Sequence, residues 1–416
     1  LPDQWSGKPV AFEGLGIQPD TGRRTMTRSH RLMDVLAWLF RLINRILPWY
    51  KLPFIKSRIH LLAALSPQVV NLPMLRHDLR RWNLHDTRAL PAVSEPPVCP
   101  FHESDVAARR EDGTHNDLAD PAMGGAGTRF GRNLPLDTGW PDQLNLMTPN
   151  PREVSVRLMT RRQFTPAASL NLLAAAWIQF QVHDWVRHEL SEEEFHEVPL
   201  RPDDVWPNDA DRRNPMKIRK TLPDRTRPRH CMAEPPTFLN VETHWWDASQ
   251  IYGSSKERCD ALRLHRDGLM RVEAVGGNQV LPQEPDPLLS GVDLTGMNDN
   301  YWAGLSLLHT LFAREHNAIA ARLKRDYPEW SDEQLFQKAR LINAVLIAKI
   351  HTVEWTPGIL ARPSLQIGMN GNWWGGIGER LHNLLGPVGE SEEVWGIPGR
   401  EIVKCCVRRS NQAAIS

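Results

Sequence analysis

The chain has 416 residues, of which 41% are hydrophobic and 24% charged, and its formal net charge is only +1. These values exclude a fibrous or low-complexity protein, and the charge balance excludes a dedicated nucleic-acid binder, which needs a concentrated excess of Lys and Arg. The 33 prolines exceed the usual ~5% share and predict long irregular connections. Five cysteines (Cys99, Cys231, Cys259, Cys405 and Cys406) follow no paired spacing and are expected as reduced thiols.

In chain order, residues 1–30 are polar and punctuated by Gly and Pro, and predict an irregular arm. No secretory leader and no run of ~18 apolar residues is seen, so the expected location is cytoplasmic or peripheral to a membrane. Leu32, Val35, Leu36, Leu39, Leu42, Ile43, Ile46 and Leu47 recur at helical spacing, with Asp34, Arg41 and Arg45 opposite and Pro48 as the stop. With Trp38, Trp49, Lys51, Lys56 and Arg58, segment 31–58 can pack on its own domain, the commoner outcome, or lie on a membrane surface.

Residues 90–150 read as a long loop region. Its Gly124-Gly125-Ala126-Gly127 is no phosphate cradle, because no Gly-Lys-Ser/Thr follows. Residues 166–190 predict a strong helix around Ala174-Ala175-Ala176. Residues 191–235 hold an acidic cluster (Glu192, Glu193, Glu194), then a basic run from Arg212 to Arg229 without interleaved aromatics, and predict a solvated loop. Residues 301–324 predict another helix. Ser331 and Gln334 form a capping box that launches a helix through Leu335, Ile342, Val345, Leu346 and His351, with Pro357-Gly358 as its stop. Alternating strands and internal repeats are not apparent, so the class is mainly α. The expected organisation is an N-terminal arm with amphipathic helices (1–69), a main domain (70–399) and a divergent tail (400–416).

Two stretches can carry chemistry. In the run from Trp177 to Trp185, Gln179 and His183 are four apart and share a helix face, while Asp184 points about 100° away. A zinc-protease pair is excluded, since His183 and His188 are five apart. A histidine in an apolar helix is, by itself, usually a satisfied core residue. In the second stretch, alternate residues of an extended loop let Thr243, Asp247 and Ser249 aim oxygens at one point, joined by the Trp245 carbonyl. Hard oxygen donors suit Ca²⁺ but do not complete a shell of six to eight ligands. A further carboxylate is needed, and Asp184 is the natural donor.

Together these motifs resemble the animal-type haem peroxidase superfamily, and within it the fatty-acid α-dioxygenase branch related to cyclooxygenases. Arg81 to Thr87, Gly127 to Asn133, Pro151 to Ser155, Glu315-His316-Asn317 and Ile350 to Thr356 add to the likeness, which spans residues 70–399. The resemblance implies a haem-peroxidase helical fold with long irregular loops. It implies a haem-dependent oxidoreductase that adds O₂ at the α-carbon of a fatty acid, giving a 2-hydroperoxy acid. His183 would be the distal histidine that moves a proton during hydroperoxide cleavage, with Gln179 lining the cavity. Asp184, Thr243, Trp245, Asp247 and Ser249 would hold calcium, and His351 and Thr356 would grip the substrate carboxylate. Val182 and Tyr301 stand where mammalian peroxidases esterify the haem, so haem b would be held non-covalently. Asn298 stands where peroxidases carry an arginine, which favours the dioxygenase branch.

The family's Tyr-x-x-His, which supplies the radical carrier and the proximal haem ligand, does not occur among the four tyrosines Tyr50, Tyr252, Tyr301 and Tyr327. The expectation is a truncated or frame-shifted, inactive version with no proximal ligand of its own. The alternatives are a peroxidase using small reducing substrates, or a non-catalytic, calcium-stabilised helical or lipid-binding remnant.

Overall fold

The computed structural model describes residues 28–82, 100–102, 105, 108–117, 120–130, 145–204, 215–231 and 233–385. The expected arm at 1–27, the 83–99 stretch, the 131–144 part of the loop region and the tail beyond 385 lie outside the described residues. So do Cys99, Cys405 and Cys406.

The described chain is mainly helical, as the sequence predicts. The first helices are α1 (Arg28–Ile46), α2 (His60–Ala64) and α3 (Pro67–Trp82). Strand β1 (Thr128–Arg129), α4 (Pro151–Met159) and α5 (Leu172–Trp185) follow, then strands β2 (Leu190–Val198), β3 (Met216–Thr221) and β4 (Leu239–Asn240). Next come α6 (Ser249–Tyr252), α7 (Lys256–Leu262), the hairpin of β5 (Glu273–Val275) and β6 (Asn278–Val280), α8 (Ala303–Asp326) and α9 (Asp332–Lys349). A π-helical turn (Ile350–Trp355) leads into α10 (Thr356–Ile359), α11 (Pro363–Trp374) and α12 (Gly378–Leu385). No described helix is long and apolar enough to cross a membrane.

The contacts divide the chain into two compact units. The first comprises residues 1–85, 132–134 and 348–416. In it α1 packs on α3, and the side-chain amides of Asn44 and Asn71 donate to each other at 3.1 and 2.8 Å. Ala37, Val69 and Met74 are buried, whereas Val35, Trp38, Leu39 and Ile46 leave an apolar stripe of α1 exposed. Only part of the apolar face predicted for this helix is therefore spent on its own unit.

The second unit comprises residues 86–131 and 135–347, and its core forms where α5, α6, α8 and α9 meet. Phe180 of α5 stacks on Phe312 of α8 with ring centroids 5.5 Å apart. Leu305, Leu335, Phe336 and Tyr252 are fully buried. The capping box of α9 forms as expected: Gln334 N donates to Ser331 Oγ at 3.2 Å and Ser331 N to Gln334 Oε1 at 2.9 Å. Gly268, at φ +71°, lies so close to α9 that a Cβ there would sit 2.6 Å from the Phe336 amide nitrogen. Only glycine fits that approach.

Three sequence expectations need correction. The charged 191–235 segment is not simply a solvated loop, because its described ends pair as the antiparallel ribbon β2–β3. Glu194 meets Lys220 at 3.1 Å, Glu197 meets Lys217 at 3.8 Å and Glu192 meets Arg219 at 3.9 Å. Each strand is of one charge sign, and neither face is consistently buried, so the alternating apolar signal is missing while cross-strand charge pairing takes its place. The helix expected over 166–190 is the shorter α5. Asn171 caps it, its Oδ1 accepting from Leu173 N at 3.0 Å, and Val186 turns extended.

Pro357 does not stop the long helix, which continues to Ile359. Proline clashes with the carbonyl four residues back in an ordinary α-helix. Here the preceding turn is wound as a π-helix, with a wider hydrogen-bond ring that relieves this conflict.

Candidate active site

Helix α5 builds the site because it buries residues on two adjacent faces, Phe180 and His183 among them on one side and Gln181 and Asp184 on the other. Alanines 174–176 favour the helix, and the apolar residues supply packing. His183 is only 6% exposed, and its Nδ1 has no hydrogen-bond partner among the described residues. Burial lowers its pKa; Asp299 raises it and Arg187 lowers it further, each to a lesser extent. The neutral imidazole favoured by burial can accept a proton, as a distal histidine must.

Gln179, one turn earlier, is held at both ends of its amide. Its Nε2 donates to Asn300 O at 3.2 Å, and its Oε1 accepts from Trp302 Nε1 at 2.8 Å. It thus fixes the loop before α8 beside the His183 turn. The loop also carries Asp299, which receives the Arg187 guanidinium at 2.9 Å. Tyr301 donates to Asp293 Oδ2 at 2.8 Å, and Asn298 donates to Glu284 Oε1 at 2.7 Å.

Asp184 diverges from His183 as expected. It is fully buried, and its Oδ1 accepts from Ser249 N at 2.6 Å and from Ser249 Oγ at 3.1 Å. Thr243 Oγ1 donates to Asp247 Oδ2 at 2.7 Å, while Asp247 Oδ1 is buried without a partner among the described residues. Four of the five expected calcium ligands, Asp184, Thr243, Asp247 and Ser249, thus share one buried neighbourhood. Trp245 lies in the same loop, half-buried, with its indole N–H donating to Met123 O at 3.0 Å. Gly296 admits its loop here, since a Cβ on it would collide with Ser249 O.

Burial pushes both carboxyl groups up, and the neighbouring Asp247 adds to the rise at Asp184. Two buried carboxyls this close call for a proton or a cation. The oxygen-rich donor set fits a hard dication better than a soft one. Among the described residues no group of three or more His, Cys, Asp or Glu is arranged for a metal ion, so a calcium site here would draw on hydroxyl and carbonyl oxygens as well.

His351 and Thr356 lie in the first unit, at the π-helical turn. Thr356 Oγ1 donates to the His351 carbonyl at 2.7 Å, and the His351 ring stacks on Trp355 at 5.1 Å. Burial lowers the His351 pKa, so the imidazole is better suited to donate a neutral N–H to a carboxylate than to meet it as a cation.

His309 of α8 belongs to the same neighbourhood although no motif marks it. It is 1% exposed, and neither ring nitrogen has a partner among the described residues. Its ring meets Phe180 edge-on at 5.0 Å, and burial, with His183 nearby, depresses its pKa to about 3. The only signal was a further histidine on an apolar helix face. On other faces of the same two helices, Ile178 and Val182 of α5 and Leu307 and Leu311 of α8 are 41–51% exposed. Buried imidazole nitrogens without partners, set among the aromatic rings of α5 and α8, suit the surroundings of a porphyrin, so the residues present fit a haem.

This arrangement defines a haem-peroxidase type of helical fold. The family model described as animal haem peroxidase matches residues 108–386, and the chain belongs to that family. Alpha-dioxygenase 1 of Capsicum annuum is 32% identical over 368 residues, covering 87% of this chain and 52% of that one. The crystal structure of fatty acid alpha-dioxygenase from Arabidopsis thaliana superposes with a TM-score of 0.69 at 29% identity, covering 88% of this chain and 52% of that chain. The Oryza sativa fatty acid alpha-dioxygenase, in a crystal structure with palmitic acid, gives 0.68 at 30% identity, covering 89% of this chain and 55% of that chain. The chain spans about half the length of these relatives.

Proposed function

We propose that the chain forms the distal side of a haem-dependent oxygenase acting on fatty acids, with O₂ added at the α-carbon to give a 2-hydroperoxy acid. The observation that carries this reading is the divergence of adjacent side chains on α5, with His183 beside His309 and Asp184 on Ser249. The similarity to α-dioxygenases, one of them solved with palmitic acid, supports the substrate class. The functional domain is read as residues 70–399.

When bound, non-covalent haem would supply the one-electron oxidant that a hydroperoxide primes. The residues of this chain position and protect that chemistry. His183 accepts and returns a proton at its imidazole, and burial keeps it neutral for that task. Gln179 holds the 300–302 loop in place. Asp184, Thr243, Trp245, Asp247 and Ser249 would hold Ca²⁺, whose charge would neutralise the paired carboxylates at the last turn of α5. His351 binds the fatty-acid carboxylate by donating a ring N–H, and Thr356 joins it when its hydroxyl turns from the His351 carbonyl to the substrate. The exposed apolar stripe of α1, with Lys51, Lys56 and Arg58 after it, lies on a membrane surface from which fatty acid is taken, giving a cytoplasmic or peripheral location.

Turnover also calls for a radical-carrying tyrosine and an axial iron ligand, and the Tyr-x-x-His pattern does not occur in the 416 residues. The test is haem loading followed by O₂ uptake on palmitate with mass analysis of the product. A Soret band with palmitate-dependent O₂ uptake supports the reading in full. Oxidation of small phenols without O₂ uptake points instead to a peroxidase. No Soret band contradicts both and leaves a non-catalytic, lipid-binding protein.

A further inference from the structure

Tyr301 stands between the two residues that clamp Gln179, one helical turn from His183. Its ring lies beside His309, with centroids 5.8 Å apart, and His309 in turn contacts Phe180. Its phenol donates to Asp293 Oδ2 at 2.8 Å, and the Ser306 hydroxyl donates to the same oxygen. Two donors on one oxygen make that oxygen an acceptor. The tyrosine is half-buried, against His309 on one side and with part of the residue still accessible.

A phenol that loses an electron becomes a very strong acid, so oxidation is easy only where a base stands within hydrogen-bond reach. Asp293 is such a base, and it holds the phenol in one orientation before any electron moves. Tyr252 provides the contrast. It is also hydrogen-bonded, to His316 and Asn343, but it is 0% exposed and has no solvent edge across which to pass charge.

We propose that Tyr301 is a redox-active tyrosine that carries an oxidising equivalent from the His183 site to the protein surface, with Asp293 as its proton acceptor. The inference rests on the haem reading above. In the forward step the Tyr301 O–H bond breaks, and the proton forms a new O–H bond on Asp293 Oδ2. The electron goes to the one-electron oxidant that a hydroperoxide generates at the haem, which is reduced by one electron as Tyr301 becomes a neutral radical. In the return step a small one-electron reductant such as a phenol or aromatic amine gives its electron at the exposed edge, and Asp293 gives the proton back.

The experiment loads the full chain with haem, records the Soret band, adds tert-butyl hydroperoxide and freezes the mixture for electron paramagnetic resonance. A tyrosyl radical is expected in the parent protein and in Tyr327→Phe, with loss of the signal in Tyr301→Phe. Asp293→Asn is expected to keep the Soret band and to lose or shift the signal, because the proton acceptor is gone while the ring remains. Guaiacol oxidation falls with the signal in both variants. An intact Soret band with an unchanged tyrosyl signal in Tyr301→Phe, or with none in the parent protein, overturns the inference and leaves the haem reading standing. No Soret band removes both.

Discussion

Asp184 and Ser249 are joined three times over: the Ser249 amide and hydroxyl both donate to Asp184 Oδ1, and the hydroxyl also donates to the Asp184 carbonyl, at 2.6, 3.1 and 3.0 Å. This link ties the last turn of α5 to the first residue of α6. It also brings Asp184 toward Asp247, creating a buried pair of carboxyls that a dication would stabilise. Calcium is therefore expected to raise the melting temperature of the parent protein. At a concentration one hundred times the dissociation constant the gain is about 2.7 kcal/mol. Asp184→Asn and Asp247→Asn are expected to lose the calcium response while still melting cooperatively. Equal calcium stabilisation in parent and variants would remove the site.

Tyr252, His316 and Asn343 tie α6, α8 and α9 together. His316 Nδ1 meets the Tyr252 hydroxyl at 2.8 Å, Nε2 meets Gly268 O at 2.8 Å, and Asn343 Nδ2 reaches the phenol at 2.9 Å. Burial depresses the His316 pKa from 6.5 to about 4. Between these values the unfolded chain binds more protons than the folded one, so stability is full above 6.5 and is lost as pH falls toward 4. Denaturant midpoints measured across this window are expected to fall with pH, and His316→Gln is expected to flatten the slope. An unchanged slope in the variant would assign the acid sensitivity elsewhere.

The ribbon β2–β3 predicts a charge-swap result. Reversing Lys220 to Glu places like charges beside Glu194 and is expected to destabilise only modestly, since both side chains are exposed. Adding Glu194→Lys is expected to recover the loss, with a coupling energy of roughly 0.2–1 kcal/mol in a double-mutant cycle. Zero coupling would show that the pair is incidental to the ribbon.

At the π-helical turn, Thr356→Val removes the hydroxyl that donates to the His351 carbonyl, and His351→Ala removes the stacked imidazole. Under the proposed role, both variants weaken palmitate binding, His351→Ala by about tenfold or more, as loss of a charge-assisted hydrogen bond would. Equilibrium binding of a fluorescent fatty acid checks this. Unchanged affinity in both would release these residues from the carboxylate site.

The long helices were legible because burial imprints a helical period on sequence, and the Ser331–Gln334 cap because its hydrogen bonds need those residue types at that spacing. The divergence of His183 and Asp184 was legible for the same reason, being fixed by helix geometry alone. The ribbon was not, because its stabilising signal is complementary charge between segments some twenty-five residues apart, with β3 beyond residues 205–214. The continuation past Pro357 was hidden because a π-turn is a choice of hydrogen-bond register that residue types barely mark. His309 was hidden because its importance lies in neighbours from other elements, Phe180 and Tyr301, which no local window contains.

Helix α5 serves two destinations from adjacent residues, His183 and Asp184. The direct measurement is anomalous scattering from crystals of the chain grown with haem and calcium, at wavelengths that separate iron from calcium. An iron peak facing His183 and a calcium peak between Asp184 and the 243–249 loop are expected. Iron elsewhere, or no calcium beside Asp184 with Ser249 still bonded to it, would contradict this arrangement.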